Sequence, residues 1–181
     1  MFARLLAAFC LCNLVMLPVR GGDRPEAKVV VYLSGANGQP VHPLQYMKTE
    51  TARLMHSAGY RVEFTTDRPT TDFALVVLEL RGTCVAGTQS GKPGPLASTV
   101  VSEGQVIPFA SVDCDGLNRV IGASLADEPG ARRDFLYGRA MARLVAHEMY
   151  HILEKTTRHH RTGVARACLH AGDLLAEEFG W

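Results

Sequence analysis

The chain has 181 residues, 47% of them hydrophobic, with 19 basic against 18 acidic side chains. That length suits one domain with a sizeable core. The near-zero net charge supplies no strong electrostatic pull toward nucleic acid or an acidic lipid surface, and no repeat, heptad run or low-complexity tract suggests a solenoid or coiled coil.

Residues 1–22, MFARLLAAFCLCNLVMLPVRGG, read as a signal peptide. Arg4 supplies a positive n-region, and Leu5 to Val19 is nearly all apolar, long enough for an h-region and short for a membrane span of roughly 20 residues. A small-x-small cleavage site is missing, so an uncleaved anchor and a buried N-terminal helix are the alternatives. Neither Cys10 nor Cys12 follows a lipobox. The remainder, 23–181, is expected to be one domain, secreted or periplasmic, with a membrane contact only through an uncleaved leader.

Within it, AKVVVYLS (27–34) is β-branched and apolar and precedes the turn chemistry of GANGQP. LQYMKTETARLMHSAG follows, with Leu44, Met47, Thr51, Leu54 and Met55 on one helical face and Gly59 as its stop. YRVEFT (60–65) alternates like a strand, and Phe73 to Leu80 reads as a more buried one. This strand–helix–strand start favours parallel pairing. GTQSGKPGP (87–95) is a loop that lacks the order of a phosphate loop. STVVSEGQVIPFASVDC (98–114) reads as two extended segments joined around Ser102–Gly104. A short helix over 115–124 comes next, then a long one from about Ala131 to Leu153, with Asp127 as its N-cap and Pro129 near its first turn. Thr162–Gly163 breaks the chain, and a last helix is expected over Val164 to Phe179.

Of five cysteines, Cys84, Cys114 and Cys168 lie beyond the leader. Cys84 and Cys114 each end an apolar strand-like run, and adjacent strand ends would bring them together, so they are expected to pair in an oxidising compartment. Three buried thiols are the alternative. Cys168 is expected to be packed among helical residues.

Four of the seven histidines crowd into AHEMYHILEKTTRHHRTGV (146–164). On a helix, His147 and His151 project from one face a turn apart, the reach needed to share a Zn²⁺. Glu148 is rotated away from His147, where it can take the proton of a metal-activated water. Leu136, Ala140 and Leu144 continue the histidine stripe, so a core-facing helix presents both imidazoles to a cleft. A pair of ordinary core or surface histidines would leave a buried Glu148 unexplained, because a lone buried carboxylate is costly.

A catalytic zinc site takes three protein ligands and keeps one open position. His159, its neighbour His160, and a carboxylate of the last helix, Asp173 or Glu177, compete for the third place. Sequence reach favours His159. Elsewhere, Arg158 and Arg161 read as a solvated loop, Tyr150 as a core-packing residue, and Tyr137, His42, His56 and His170 as surface or satisfied groups rather than ligands.

HEMYH followed by His159 and Gly163-Val164 resembles the zincin superfamily of metalloproteases, nearest to the metzincin-like branch. Metzincins carry glycine and histidine three and six residues after the second histidine, where this chain has Glu154 and Thr157. The longer spacer (HExxH, seven residues, H, three residues, G) resembles secreted bacterial zincins and selects His159 and Gly163. No methionine stands at Val164-Ala165, so a methionine-containing turn is not implied. AGYRVEF, RGTC and IPFASVDCD are similar to features of the same group.

The resemblance implies an α+β, zincin-like fold, in which a twisted mixed sheet packs on the HExxH helix and a C-terminal helix follows. It further implies one Zn²⁺ per chain on His147, His151 and His159, Glu148 as general base, and a peptide or protein substrate. An edge strand would align that substrate, with VSEGQVIPF (101–109) as the candidate edge and an interior strand as its alternative. The rival expectation is a catalytically silent zinc-binding or interaction domain on the same scaffold.

Overall fold

Alternation decides which side of the sheet is buried. In β1 (Ala27–Ser34), Val29, Val31 and Leu33 face the core while Lys28 and Tyr32 lie half-buried on the other face. β2 (Tyr60–Thr65) and β3 (Ala74–Arg81) flank β1, both parallel to it, and place Val62, Val76, Leu78 and Leu80 on the same side. β5 (Gln105–Asp113) runs parallel to β3, and β4 (Ala97–Ser102) closes the sheet antiparallel to β5. The computed structural model, which describes residues 26–67, 74–87 and 93–181, is therefore α+β, with a five-stranded mixed sheet in the order β2-β1-β3-β5-β4 and four helices. The leader read in residues 1–22 lies outside the described residues, as do Phe73 and part of the glycine-rich loop. No helix among the described residues is long and apolar enough to cross a membrane.

The β4–β5 hairpin turns at Glu103 and Gly104, both at positive φ, as a two-residue connection between right-twisted strands requires. Its register shifts between Thr99 and Val101, and the irregularity absorbs Pro108, which has no N–H to give a ladder. The strand at the edge is thus β4. Of the segment expected to form the edge, only Val101 and Ser102 lie in it, and Gln105–Phe109 belong to β5, which pairs with β4 and, from Phe109 onward, with β3. An edge strand had to be one with a single partner, and the pattern of VSEGQVIPF carries no count of partners.

Two long helices cover the core face. α1 (Val41–Ser57) buries Leu44, Met47, Thr51, Leu54 and Met55, the face expected from spacing, and Gly59 beyond it adopts φ +86. α3 (Gly130–Leu153) lies against α1, β4 and β5. The crossing of α1 and α3 is close: a Cβ at Gly138 would stand 2.5 Å from the Pro43 carbonyl oxygen and 2.6 Å from the Tyr46 Cβ. Between them in the chain, α2 (Cys114–Leu125) is capped by Asp113, whose carboxylate accepts from the Gly116 N–H at 3.0 Å.

Asp127 does not cap α3. The helix starts at Gly130 after Pro129, which is extended and offers no side-chain cap. Proline disfavours helical geometry in the residue before it, so a helix capped at Asp127 could not have passed through Glu128. The last helix is also far shorter than expected. α4 (Ala171–Leu175) is five residues, because the chain before and after it spends its backbone groups on other partners. Val164 N–H donates to Gly180 O, Ala165 O accepts from His160 N–H, and Ala176 O accepts from two arginines of α3. Cys168 therefore sits in an irregular segment and is exposed, not packed in a helix.

Cys84 and Cys114 form the expected disulfide, tying the loop after β3 to the start of α2. The bridge spans a separation of 30 residues, and closing such a loop in the unfolded chain is worth about 3–4 kcal/mol by chain entropy. Replacing both cysteines by alanine is expected to lower the unfolding free energy by about that amount, read as a fall in the urea midpoint. An unchanged midpoint would show that the unfolded chain already holds these ends together.

Candidate metal centre

α3 carries the first two imidazoles. Its apolar stripe, with Leu136, Ala140 and Leu144 buried, leads directly to His147 and His151. Each ring is held by its Nδ1. His147 Nδ1–H donates to the Val164 carbonyl at 2.7 Å, and His151 Nδ1–H to the Thr156 carbonyl at 2.8 Å. With Nδ1 as the donor, each Nε2 keeps its lone pair. The two Nε2 atoms stand 3.0 Å from each other. Two acceptors at that distance repel unless a cation lies between them.

The third ring reaches the pair through the way α3 ends. Glu154 is the C-cap, Lys155 follows at φ +49, Thr156 N–H donates to His151 O and Lys155 N–H to Ile152 O. This is a Schellman motif with lysine in the left-handed position usually given to glycine. Thr156 therefore both ends the helix and orients His151, accepting from its ring while donating to its carbonyl. The turned chain is then pinned by His160 N–H to Ala165 O at 2.8 Å. That brings the His159 ring to 5.2 Å from His147 and 4.8 Å from His151, centre to centre.

One ligand atom from each of His147, His151 and His159 lies within 4.8 Å of the others, so the three are close enough to hold a metal ion. The donor set fits zinc: two imidazole nitrogens on one tetrahedral ion, each at roughly 2.0–2.1 Å, stand about 3.3 Å apart. The other candidates for the third place are engaged elsewhere. His160 turns to Tyr150 and lines a separate cavity with Trp181. Asp173 binds Arg166 at 2.6 Å and the His170 N–H at 2.9 Å. Glu177 lines a third cavity with Glu50 and Arg53.

Glu148 is 4% exposed, and burial pushes its carboxyl above the usual range. Thr99, on β4, opposes that shift by donating from Oγ1 to Glu148 Oε2 at 2.6 Å. Sequence reasoning passed over Thr99, although strand alternation puts it on the face that meets α3. Burial lowers the pKa values of His147 and His151, which keeps both imidazoles neutral and able to act as ligands. All three histidines and Glu148 open onto a cleft of about 290 Å³ walled by Ser98, Thr99 and Val101 of the edge strand. A second recess of about 190 Å³, lined by Leu96, Leu144 and Leu169, adjoins it at His147 and Glu148.

The residues set aside as structural sit as such. Tyr137 is fully buried with its hydroxyl donating to Cys114 O, Tyr150 is buried, and His170 caps α4. His42 and His56 are exposed, the latter against Glu26. Comparison of the chain with protein-family models, curated proteins and solved structures finds no match.

Left-handed backbone costs a β-carbon-bearing residue about 1–2 kcal/mol. Lys155→Gly is therefore expected to raise the unfolding free energy by about 1 kcal/mol without weakening metal binding. A urea titration beside a zinc titration reads both, and a destabilised Lys155→Gly would refute the assigned helix end.

Proposed function

We propose that this chain is an exported zinc metallopeptidase of zincin type. One observation carries the reading: three imidazoles converge beside a buried carboxylate, and all four open on a cleft that runs along a sheet edge. His147, His151 and His159 would hold the ion, leaving one position open, since Asp173 is bonded to Arg166 and the His170 N–H and Glu177 lines a separate cavity. When bound, zinc supplies Lewis acidity, polarising a carbonyl and acidifying water. Glu148 takes the proton of the attacking water and passes it to the leaving amine. Thr99 holds one oxygen of that carboxylate in place.

The substrate class follows from β4. Among the described residues it pairs with β5 alone, so its outer edge can take an extended peptide by strand addition. Export is supported by the disulfide, which belongs to an oxidising compartment, together with the leader-like residues 1–22.

Metal analysis of the purified protein is expected to give one zinc per chain. Glu148→Gln should keep that zinc and lose hydrolysis of a fluorogenic peptide library by at least 10²-fold, the lower range for a general base. His147→Ala should lose both. Zinc retained without hydrolysis by the wild type would favour the catalytically silent domain, and hydrolysis retained by Glu148→Gln would falsify the mechanism.

A further inference from the structure

Arg143 is fully buried one turn before His147 on α3, and no carboxylate among the described residues bonds it. Its guanidinium donates instead to the carbonyls of Asp173 and Ala176, and its charge lies 4.6 Å over the Phe179 ring. Arg139, a turn earlier, adds a bond to Ala176 O at 2.7 Å. A buried cation is expensive, and replacing one by an apolar side chain of similar size is often neutral or stabilising. Stability alone therefore gives no reason for an arginine here.

What the arginine holds suggests one. The segment it clamps continues to Gly180, whose carbonyl accepts from Val164 N–H at 3.0 Å. The carbonyl of that same Val164 accepts from His147 Nδ1–H at 2.7 Å. Gly163 makes the close approach possible: at φ +67, a Cβ there would stand 2.9 Å from Gly180 O and 3.0 Å from the Trp181 carbonyl carbon. The chain of contacts thus leaves α3 at Arg143, runs through residues 176–180 and Val164, and returns to α3 at His147.

We propose that residues 176–180, clamped by Arg143, are a positioning element for the His147 imidazole, fixing its orientation and its Nδ1–H tautomer through Val164. The effect on metal affinity rests on the zinc reading above. The effect on the tautomer does not.

Two variants test this in the full chain, Arg143→Met and Gly163→Ala. Zinc affinity is measured by competition with a chromophoric chelator, the metal-free urea midpoint gives stability, and long-range ¹H–¹⁵N spectra of metal-free protein report the imidazole tautomers. Partners that orient a ligand from behind are typically worth 10–100-fold in affinity. Both variants are expected to weaken zinc by that factor and to lose the single Nδ1–H tautomer of His147, while Arg143→Met keeps its urea midpoint. Affinity within about twofold of wild type in both variants, with the His147 signal unchanged, overturns the proposal. An altered tautomer that leaves zinc affinity untouched upholds the positioning of His147 and overturns its effect on metal binding. If Arg143→Met does not fold, Gly163→Ala decides alone. If the wild type binds no zinc, the metal reading fails separately, and the spectra decide whether the tail orients His147.

Discussion

A buried polar group must find a partner or lose several kcal/mol of solvation, and α3 imposes that constraint over two successive turns. Arg143, His147, Glu148 and His151 are all turned inward, and none is satisfied within the helix. Each draws its partner from a different segment: the tail carbonyls, Val164, Thr99 of β4 and Thr156 of the helix end. The largely irregular segment after Leu153 is organised by those demands, since it holds three of the four partners. Burial pushes even the Arg143 guanidinium down to about 10, a measure of how far the helix departs from an ordinary amphipathic one.

The parts legible in the sequence are those governed by short-range periodicity. β1 and the buried face of α1 follow from spacing alone, because alternation and the i, i+4 rule act within a single element. The Cys84–Cys114 bridge was legible for a related reason, as both cysteines end apolar runs that a parallel sheet sets side by side. His147, His151 and the buried Glu148 could be read together because one helix carries all three.

What was not legible depends on partners distant in the chain. The end of α3 has no glycine, and Lys155 takes a left-handed conformation that composition does not announce. The expected helix over Val164 to Phe179 fails because Val164, Ala165 and Ala176 spend their backbone groups on Gly180, His160 and the two arginines. The exposure of Cys168 follows from that failure. Asp127 lost its capping role to a proline two residues on, a local rule that was available and outweighed by the aspartate's propensity. Thr99 was invisible for the plainest reason: its importance lies entirely in Glu148, 49 positions away.

The choice of partners also bears on the chemistry the cleft can support. Histidine ligands are often backed by carboxylates, which share negative charge with the ring and through it with any metal. Here both Nδ1–H groups go to backbone carbonyls, which orient the ring without adding charge. A divalent ion on three neutral imidazoles would keep its full charge, leaving Glu148 as the anion that faces it in the cleft. Burial alone would favour the neutral acid at Glu148, and the 2.6 Å bond from Thr99 favours the carboxylate. Burial and the Thr99 bond thus act in opposite directions on the one carboxylate that would face such an ion. Under the proposed mechanism, a general base that accepts a proton from water and then releases it would draw on that opposition, one side of which is supplied by an edge-strand threonine.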